Sequence, residues 1–580
     1  MKKFVLFCLL VTVTFGYADD TKISPELRGY NSSQPVQVIV QYAPGTQPGA
    51  QPNCGGLLGL VDCLVGDLLN ILGQLPLING VVALVDGTGI VNLSNQPNVV
   101  YISSDRPLSN LDVAPPAINA EVAWQSNYIG TGVGVALIDS GVNSHPDLYT
   151  GILPVSRVVY NQSFVSGTSS TADQYGHGTH IAGLIAGDGL ASTGAAFSQT
   201  FTGIAPGAKI INLRVLDAKG GATDSEVIAA INQAISLKSK YNIRVINLSL
   251  GRAIYESYKL DPLCQAVEKA WKSGIVVVVA AGNNGRYLPT SGYGTVTAPG
   301  NDPYVITVGA MKPMGTPQRT DDLIASYSSK GPTVVDRVVK PDLVAPGNLL
   351  VSTDTPGTTL ETTETSNLVP YNLYEFGGSS SPSAYYFTLS GTSMATGVVS
   401  GAVADLLQAQ PRLTPDQVKA RLMKTAYKTF PQSSSVYDPT TGNTYTDQYD
   451  MFTVGAGYLD IAAALASTDL ATGTAMSPIA NYDTNSGNVY LTFDRSSVWG
   501  NSALWGSTTV WGSNQFTSAT SALWGSSALW GSSALWGSSA LWGSSAMWGS
   551  SALWGSSALW GSSAMWGSSA LWGSSVAGGE

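Results

Sequence analysis

An α/β fold, with a mostly parallel sheet and helices on both faces, is predicted for the largest part of this chain on three observations. Four short apolar runs rich in β-branched residues recur along it: VGVALID at 133–139, IINLRVL at 210–216, RVINLSLG at 244–251 and IVVVVAAGN at 275–283. They are continuous rather than alternating, so each reads as a strand covered on both faces. Helical stretches lie between them, such as DSEVIAAINQAISLKSKY at 224–241, and that alternation predicts a parallel sheet. Apolar residues make up 44% and charged residues 11%, enough to bury a large core and too little charge for the whole chain to be disordered by it. In such sheets a site is expected beyond the carboxyl ends of the strands.

The chain has 580 residues, too many for one ordinary domain. Residues 1–18 read as a secretory signal peptide: a basic start (MKK), an apolar run over 4–16, and Ala18 before two acids. The alternative, a membrane anchor, is disfavoured because the apolar run is short for a bilayer. Secretion to the extracellular space follows from that reading. Residues 19–110 form a small α/β unit. VQVIVQY and LINGVVALVDG read as strands, the apolar segment LVDCLVGDLLNILGQL between them as a helix, and a short helix and the strand VVYISSD follow. Residues 111–467 carry the large α/β domain, and 468–498 read as a polar linker.

The last segment, 499–580, is a repeat of Ala-Leu/Met-Trp-Gly-Ser-Ser. Its tryptophans fall at 499, 505 and 511, then every six residues from 524 to 572. An even period places the Trp of each regular run on one face of a strand. Four readings stay open: a stacked β-solenoid, a sticky and partly disordered tail, a self-assembling segment, or an indole surface that grips carbohydrate or a cell surface.

The formal net charge is −10 with a pI near 4.8, and there is no basic stretch. Nucleic acid or an anionic membrane is therefore not expected as a partner. Outside the leader, Cys54 and Cys63 are close enough to form a disulfide in an exported protein. Cys264, in an amphipathic stretch, reads as a small buried hydrophobe. Nothing in the cysteine and histidine pattern supports a zinc site.

The chain has three histidines, His145, His177 and His180, so a histidine base must be one of them. His177 and His180 lie in GHGTHIAGLIAG. Asp139 ends an apolar run, where a buried carboxylate needs a partner, and an imidazole N–H would supply one and fix the tautomer. Ser393, in SGTSMATGVVSGAVADLL, stands at the start of a small-residue helix. There, backbone N–H groups and the helix dipole favour a developing negative charge. Such a serine attacks a carbonyl if a histidine takes its proton. Asn283, at the end of another strand, is placed to donate a second hydrogen bond to the oxyanion, with Asn284 its competitor.

Together these motifs resemble the subtilisin-like serine proteases, the subtilase family. The resemblance is carried by ALIDSGV at 136–142, GHGTHIAG at 176–183, NLSLG at 247–251, AAGNNG at 280–285, KPDLVAPG at 340–347 and SGTSMATG at 390–397. The order Asp, His, Ser agrees with it. It implies a subtilisin-like fold over about 115–467 and a secreted endopeptidase acting on protein or peptide substrates, with Ser393 as nucleophile and His177 as general base. Asp139 orients the imidazole, Asn283 completes the oxyanion hole, and Ser249, Leu250 and Gly251 pair with substrate backbone. Ala281 and Gly282 line the pocket for the residue before the cut. His180 is implied to be a structural neighbour and His145 a loop anchor.

Residues 19–110 resemble the ferredoxin-like propeptide of such enzymes, which serves as intramolecular chaperone and inhibitor and would be cut away near 104–114. Residues 44–58 read as a loop insertion. The polar segment 354–388 is an insertion too, open between a surface loop and a piece that shapes the cleft. No cofactor is required for the chemistry. A structural calcium ion is common in the family, but Asp302, Asp321, Asp322 and Asp342 are too scattered to specify ligands. From a different class, a catalytically inactive surface-binding scaffold stays open as an alternative, and an esterase with the same residues is a weaker one.

Overall fold

The computed structural model describes residues 18–24, 27–45, 70–75, 79–104, 114–150, 155–438, 441–483, 488–492 and 514–517. The leader, Cys54 and Cys63, the insertion around 46–58, the cut region 105–113 and nearly all of the tryptophan repeat lie outside them. The chain divides into two compact units, one ending at Ser109 and the other beginning at Asn110.

The first unit contains β1 (Val36–Tyr42), β2 (Asn70–Leu75), β3 (Gly80–Val85), α1 (Gly87–Ser94) and β4 (Val99–Ser104). They form a four-stranded sheet of order β2-β3-β1-β4, with antiparallel pairing throughout. That is the strand order of a ferredoxin-like βαββαβ unit. The Asp86 carboxylate caps α1 by accepting from Gly89 N. Val38, Val40, Val81, Ile90, Leu93 and Ile102 form the core. The helix expected to run through LVDCLVGDLLNILGQL is corrected at its end. Asn70–Leu75 is a strand, paired with β3 across a bulge between Ile71 and Gly73. A short apolar run carries no periodicity that separates helix from strand, and here the sheet partner decides.

The second unit is built on β5 (Gly134–Asp139), β6 (Val158–Ser163), α2 (His177–Ala186), β7 (Lys209–Arg214), α3 (Asp224–Tyr241), β8 (Ile243–Leu248), α4 (Pro262–Lys272), β9 (Val276–Ala280), β10 (Ile306–Lys312), β11 (Leu323–Ile324) and β12 (Leu343–Pro346). The sheet order is β11-β10-β9-β8-β5-β7-β6, with β12 also on β10, and every pairing is parallel except β10 with β11. β5, β9 and β12 are buried along their whole length, as continuous apolar runs require. α3 begins on a capping box formed by Thr223 and Glu226.

β13 (Leu350–Thr353), α5 (Thr359–Thr363), β14 (Leu368–Pro370) and β15 (Pro382–Leu389) follow. The three strands form a separate antiparallel sheet of order β13-β15-β14. The segment 354–388 is thus structured, on its own cluster of Phe201, Val351, Val369, Tyr374 and Tyr386, with Phe197 stacked on Tyr374. α6 (Thr392–Ala409) is buried over nearly its whole circumference and packs on α2, β8, β9 and β10.

The stretch 468–498, expected as a linker, is structured in part. Ile479–Asp483 pairs antiparallel with Asn488–Thr492, and Asn514–Thr517 extends that sheet. Val339 N donates to Pro478 O and Ala480 N to Arg337 O, so polar composition concealed a backbone with long-range partners.

Candidate active site

Asp139 is the last residue of β5 and His177 the first of α2. Ser393 is the second residue of α6, and Asn283 lies three residues beyond the end of β9. All four therefore gather beyond the carboxyl ends of parallel strands, where the topology leaves a crevice.

Asp139 is buried, and its Oδ1 lies 2.7 Å from His177 Nδ1. The same oxygen accepts from Ser140 N at 2.8 Å. The approach depends on Gly178: a Cβ there would sit 2.2 Å from Gly141 O and 3.2 Å from Asp139 Oδ1. Burial pulls the His177 imidazole down, but the Asp139 charge and hydrogen bond, with Asp173 behind them, outweigh it and raise it above the usual histidine value. The bond at Nδ1 leaves Nε2 as the nitrogen for proton transfer.

Ser393 Oγ donates to Ser249 O at 3.1 Å, and Ser249 Oγ donates back to Ser393 O at 2.9 Å. The Ser249 hydroxyl is held from behind by Asn247 Nδ2 at 2.9 Å. Asn247 Oδ1 in turn accepts from Ser400 Oγ on α6. The hydroxyl of Ser393 thus rests on the backbone of the 249–251 segment. As the second residue of α6, Ser393 keeps its N–H outside the intrahelical ladder.

Asn283 is oriented through its oxygen, which accepts from Thr392 N at 2.9 Å and Thr392 Oγ1 at 3.0 Å. Nδ2 is thereby left as the donor of that side chain. Thr392 Oγ1 also accepts from Gly282 N at 3.1 Å. Gly282 has φ 108°, a region that favours glycine, and a Cβ there would meet Thr297 Cγ2 at 2.7 Å.

A cavity of about 310 Å³ joins these groups. His177, Ser249, Leu250, Gly251, Gly282, Asn283, Asn284 and Ser393 line it, together with apolar Leu216, Val227, Leu263, Leu360 and Met394. Asp139 is behind His177 rather than on the wall. Ala281, expected to line the pocket, does not: Ala280 and Gly282 do. Ala281 is buried between them and its peptide groups are taken, N donating to Val308 O and O accepting from Thr297 N.

The other candidates have structural surroundings. His180 Nε2 lies 3.1 Å from both Leu350 O and Phe387 O, and burial pulls its imidazole down to about 3. His145 Nδ1 accepts from Asp147 N and its Nε2 lies 3.0 Å from Tyr385 O, anchoring a loop. Burial lowers it to about 4. Cys264 is buried, its thiol donating to Asn301 Oδ1.

The four acids considered for calcium are separately engaged. Asp342 is paired with Lys340 at 2.7 Å and Lys419 at 3.0 Å. Asp322 accepts from Tyr458 OH, Asp321 from Thr316, and Asp302 from Tyr304 N. Among the described residues no group of His, Cys, Asp and Glu is arranged to hold a metal ion.

Sequence reasoning missed Thr392, Tyr175 and Leu360. Thr392 had a local signal, standing beside Ser393 inside a quoted motif. Tyr175 lies two residues before His177 with its ring 6.4 Å from the imidazole, and Leu360 comes from the 354–388 segment. Neither had a pattern to mark it.

The model of the subtilase family (Peptidase_S8) matches residues 130–457. Serine protease AprX of Bacillus subtilis (strain 168) is 36% identical over 357 residues, 60% of this chain and 73% of that protein. Subtilisin E of the same organism is 34% identical over 361 residues, 61% of this chain and 77% of that protein. Thermitase of Thermoactinomyces vulgaris is 34% identical over 329 residues, 57% of this chain and 92% of that protein.

Proposed function

Because the chain belongs to the subtilase family of serine proteases, we propose that it hydrolyses peptide bonds with Ser393 as nucleophile, His177 as general base and Asp139 as the group that orients and stabilises the imidazolium. The observation that carries this reading is the 2.7 Å Asp139–His177 contact beside a cavity that His177, Ser393 and Asn283 share.

An extended substrate pairs with the backbone of Ser249, Leu250 and Gly251, as a strand adds to a sheet edge. Ser393 Oγ then turns from Ser249 O toward His177 Nε2, gives up its proton and attacks the carbonyl carbon. The oxyanion takes hydrogen bonds from Ser393 N–H and Asn283 Nδ2. His177 passes its proton to the leaving amine, and water repeats the sequence on the acyl-enzyme. None of these steps calls for a cofactor.

We read residues 1–18 as the export signal and 19–110 as a propeptide that the mature enzyme removes near 104–114. Support comes from the basic, apolar, small-residue order of the leader and from the ferredoxin-like strand order of the first unit. No described helix is long and apolar enough to cross a membrane. The repeat tail is read as the segment that associates with a cell surface, carbohydrate or itself.

Intact mass of wild type and Ser393→Ala, both expressed without the leader, tests the reading. Wild type should lose about residues 19–110 and hydrolyse both peptide and ester substrates, and Ser393→Ala should do neither. A folded wild type that stays full length, is not labelled by a serine-directed reagent and cleaves no peptide would overturn it in favour of the inactive scaffold. Hydrolysis of esters alone would favour an esterase.

A further inference from the structure

One residue of the segment 354–388, Leu360 on α5, reaches the wall of the cleft. α5 is tied to the loop that carries His177 by two hydrogen bonds, Thr359 N to Gln174 O at 3.0 Å and Leu360 N to Tyr175 O at 2.9 Å, and to the loop after β7 by a third, Thr359 Oγ1 to Ala218 O at 2.7 Å. Its first turn is fixed by Thr358, whose Oγ1 accepts from Glu361 N, while Gly357 N donates to Glu361 Oε2. Leu360 is buried, yet its side of the helix borders the cavity beside Tyr175, His177 and Leu216. Tyr175 is confined as well: its ring lies against Gly220, where a Cβ would come within 2.8 Å, and is tilted 37° to the His177 ring.

Resting on the peptidase reading above, we propose that Leu360, backed by Tyr175, is a specificity-determining residue that selects a branched apolar side chain at the second substrate position before the cut. Successive side chains of an extended substrate point to opposite faces. The residue before the cut enters the side framed by Gly251, Gly282 and Thr297. Its predecessor then faces the His177 side, where Leu360, Tyr175 and Leu216 offer apolar surface. The anchoring hydrogen bonds run through backbone and through Thr359, while the Leu360 side chain also packs in the main core, so the thermal midpoint of each variant is read beside its kinetics.

The test compares kcat/KM for two peptides that differ only in having Leu or Ala at that second position. The enzymes are wild type, Leu360→Ala and Leu360→Phe, with active sites counted by a serine-directed reagent. Wild type should prefer Leu by about tenfold or more, the discrimination an apolar pocket gives. Leu360→Ala should shrink that ratio about fivefold, mainly by slowing the Leu peptide. Leu360→Phe, which fills rather than empties the wall, should reduce or invert the preference while the Ala peptide is still cleaved. Leu/Ala ratios unchanged in both variants, or a wild type without preference, would overturn the assignment and leave the peptidase reading intact. A wild type that cleaves neither peptide and takes up no reagent would overturn both.

Discussion

Gly178→Ala places one methyl group where the site has no room for it. The new Cβ would lie 2.2 Å from Gly141 O, against a practical minimum of 3.0 Å, so strand end and helix must part by about 0.8 Å. Gly141 is two residues from Asp139, and Gly178 adjoins His177. If the whole displacement reaches their contact, 2.7 Å becomes about 3.5 Å, outside hydrogen-bond range. A misplacement of that size costs about 100-fold in kcat. The imidazole is also raised by Asp139 against the pull of burial, so a longer contact lets it fall. His177 must be neutral to accept a proton, and activity is lost as pH drops through its pKa. The acid limb of kcat/KM should therefore lie above the ordinary 6.5 in wild type and move to lower pH in Gly178→Ala. The assay is kcat/KM on one peptide from pH 5 to 9, with Gly397→Ala as companion. A Cβ at Gly397 has its nearest neighbour at 3.4 Å, an ordinary contact inside α6, so that variant should keep full activity and gain about 0.5–1 kcal/mol. A Gly178→Ala enzyme with wild-type kcat and an unmoved acid limb would refute the reasoning.

Asn283→Ala should lower kcat about 10²–10³-fold with KM little changed, the cost of removing such a donor in subtilisin, and stopped-flow acylation would read it. An unchanged kcat would leave the oxyanion without that donor. Away from the chemistry, burial and Glu268 push the Asp302 carboxyl up to about 8, against the pull of Tyr304 N–H, Lys340 and Lys419. Its folded value exceeds the ordinary 3.8, so its stabilisation is complete below that pH and is lost as pH rises to about 8. At about 1.4 kcal/mol per pH step, that is about 4 kcal/mol forgone at pH 7. In a Ser393→Ala background, which prevents self-digestion, Asp302→Asn should raise the denaturant midpoint at pH 7.5 and change it little at pH 4. Equal effects at the two pH values would contradict the linkage.

The parallel sheet and the four residues that meet at its carboxyl edge were legible because each is announced within a few residues: an apolar run, then Asp139 or Asn283, or a glycine-flanked His177. What was not legible depends on partners far along the chain. Asn70–Leu75 became a strand through β3, and the 468–498 stretch folded because Arg337, Val339 and Asp342 receive it. Phe197, Phe201, Tyr374 and Tyr386 form one cluster from two distant segments, so no local window gathers them. Asp342, met as a scattered acid, is the shared partner of two buried lysines, Lys340 and Lys419. Ala281 was placed one residue off because backbone pairing, not motif position, decides which residue of that segment borders the cavity.

α6 carries Ser393 at one end and is enclosed along its length by α2 and by strands β5, β8, β9, β10 and β12, among others. It cannot fray on its own, since its release would expose nearly every residue it has. Heat or denaturant should therefore abolish the reactive serine and the tertiary structure in one event, with no population of intact but unreactive molecules between. Leu360 sits on a helix of five residues, but its side chain is buried in the same main core that encloses α6. The proposed selector of substrate and the helix that carries the reactive serine thus share one core, so an engineer or a lineage that revises the first has to accommodate the second.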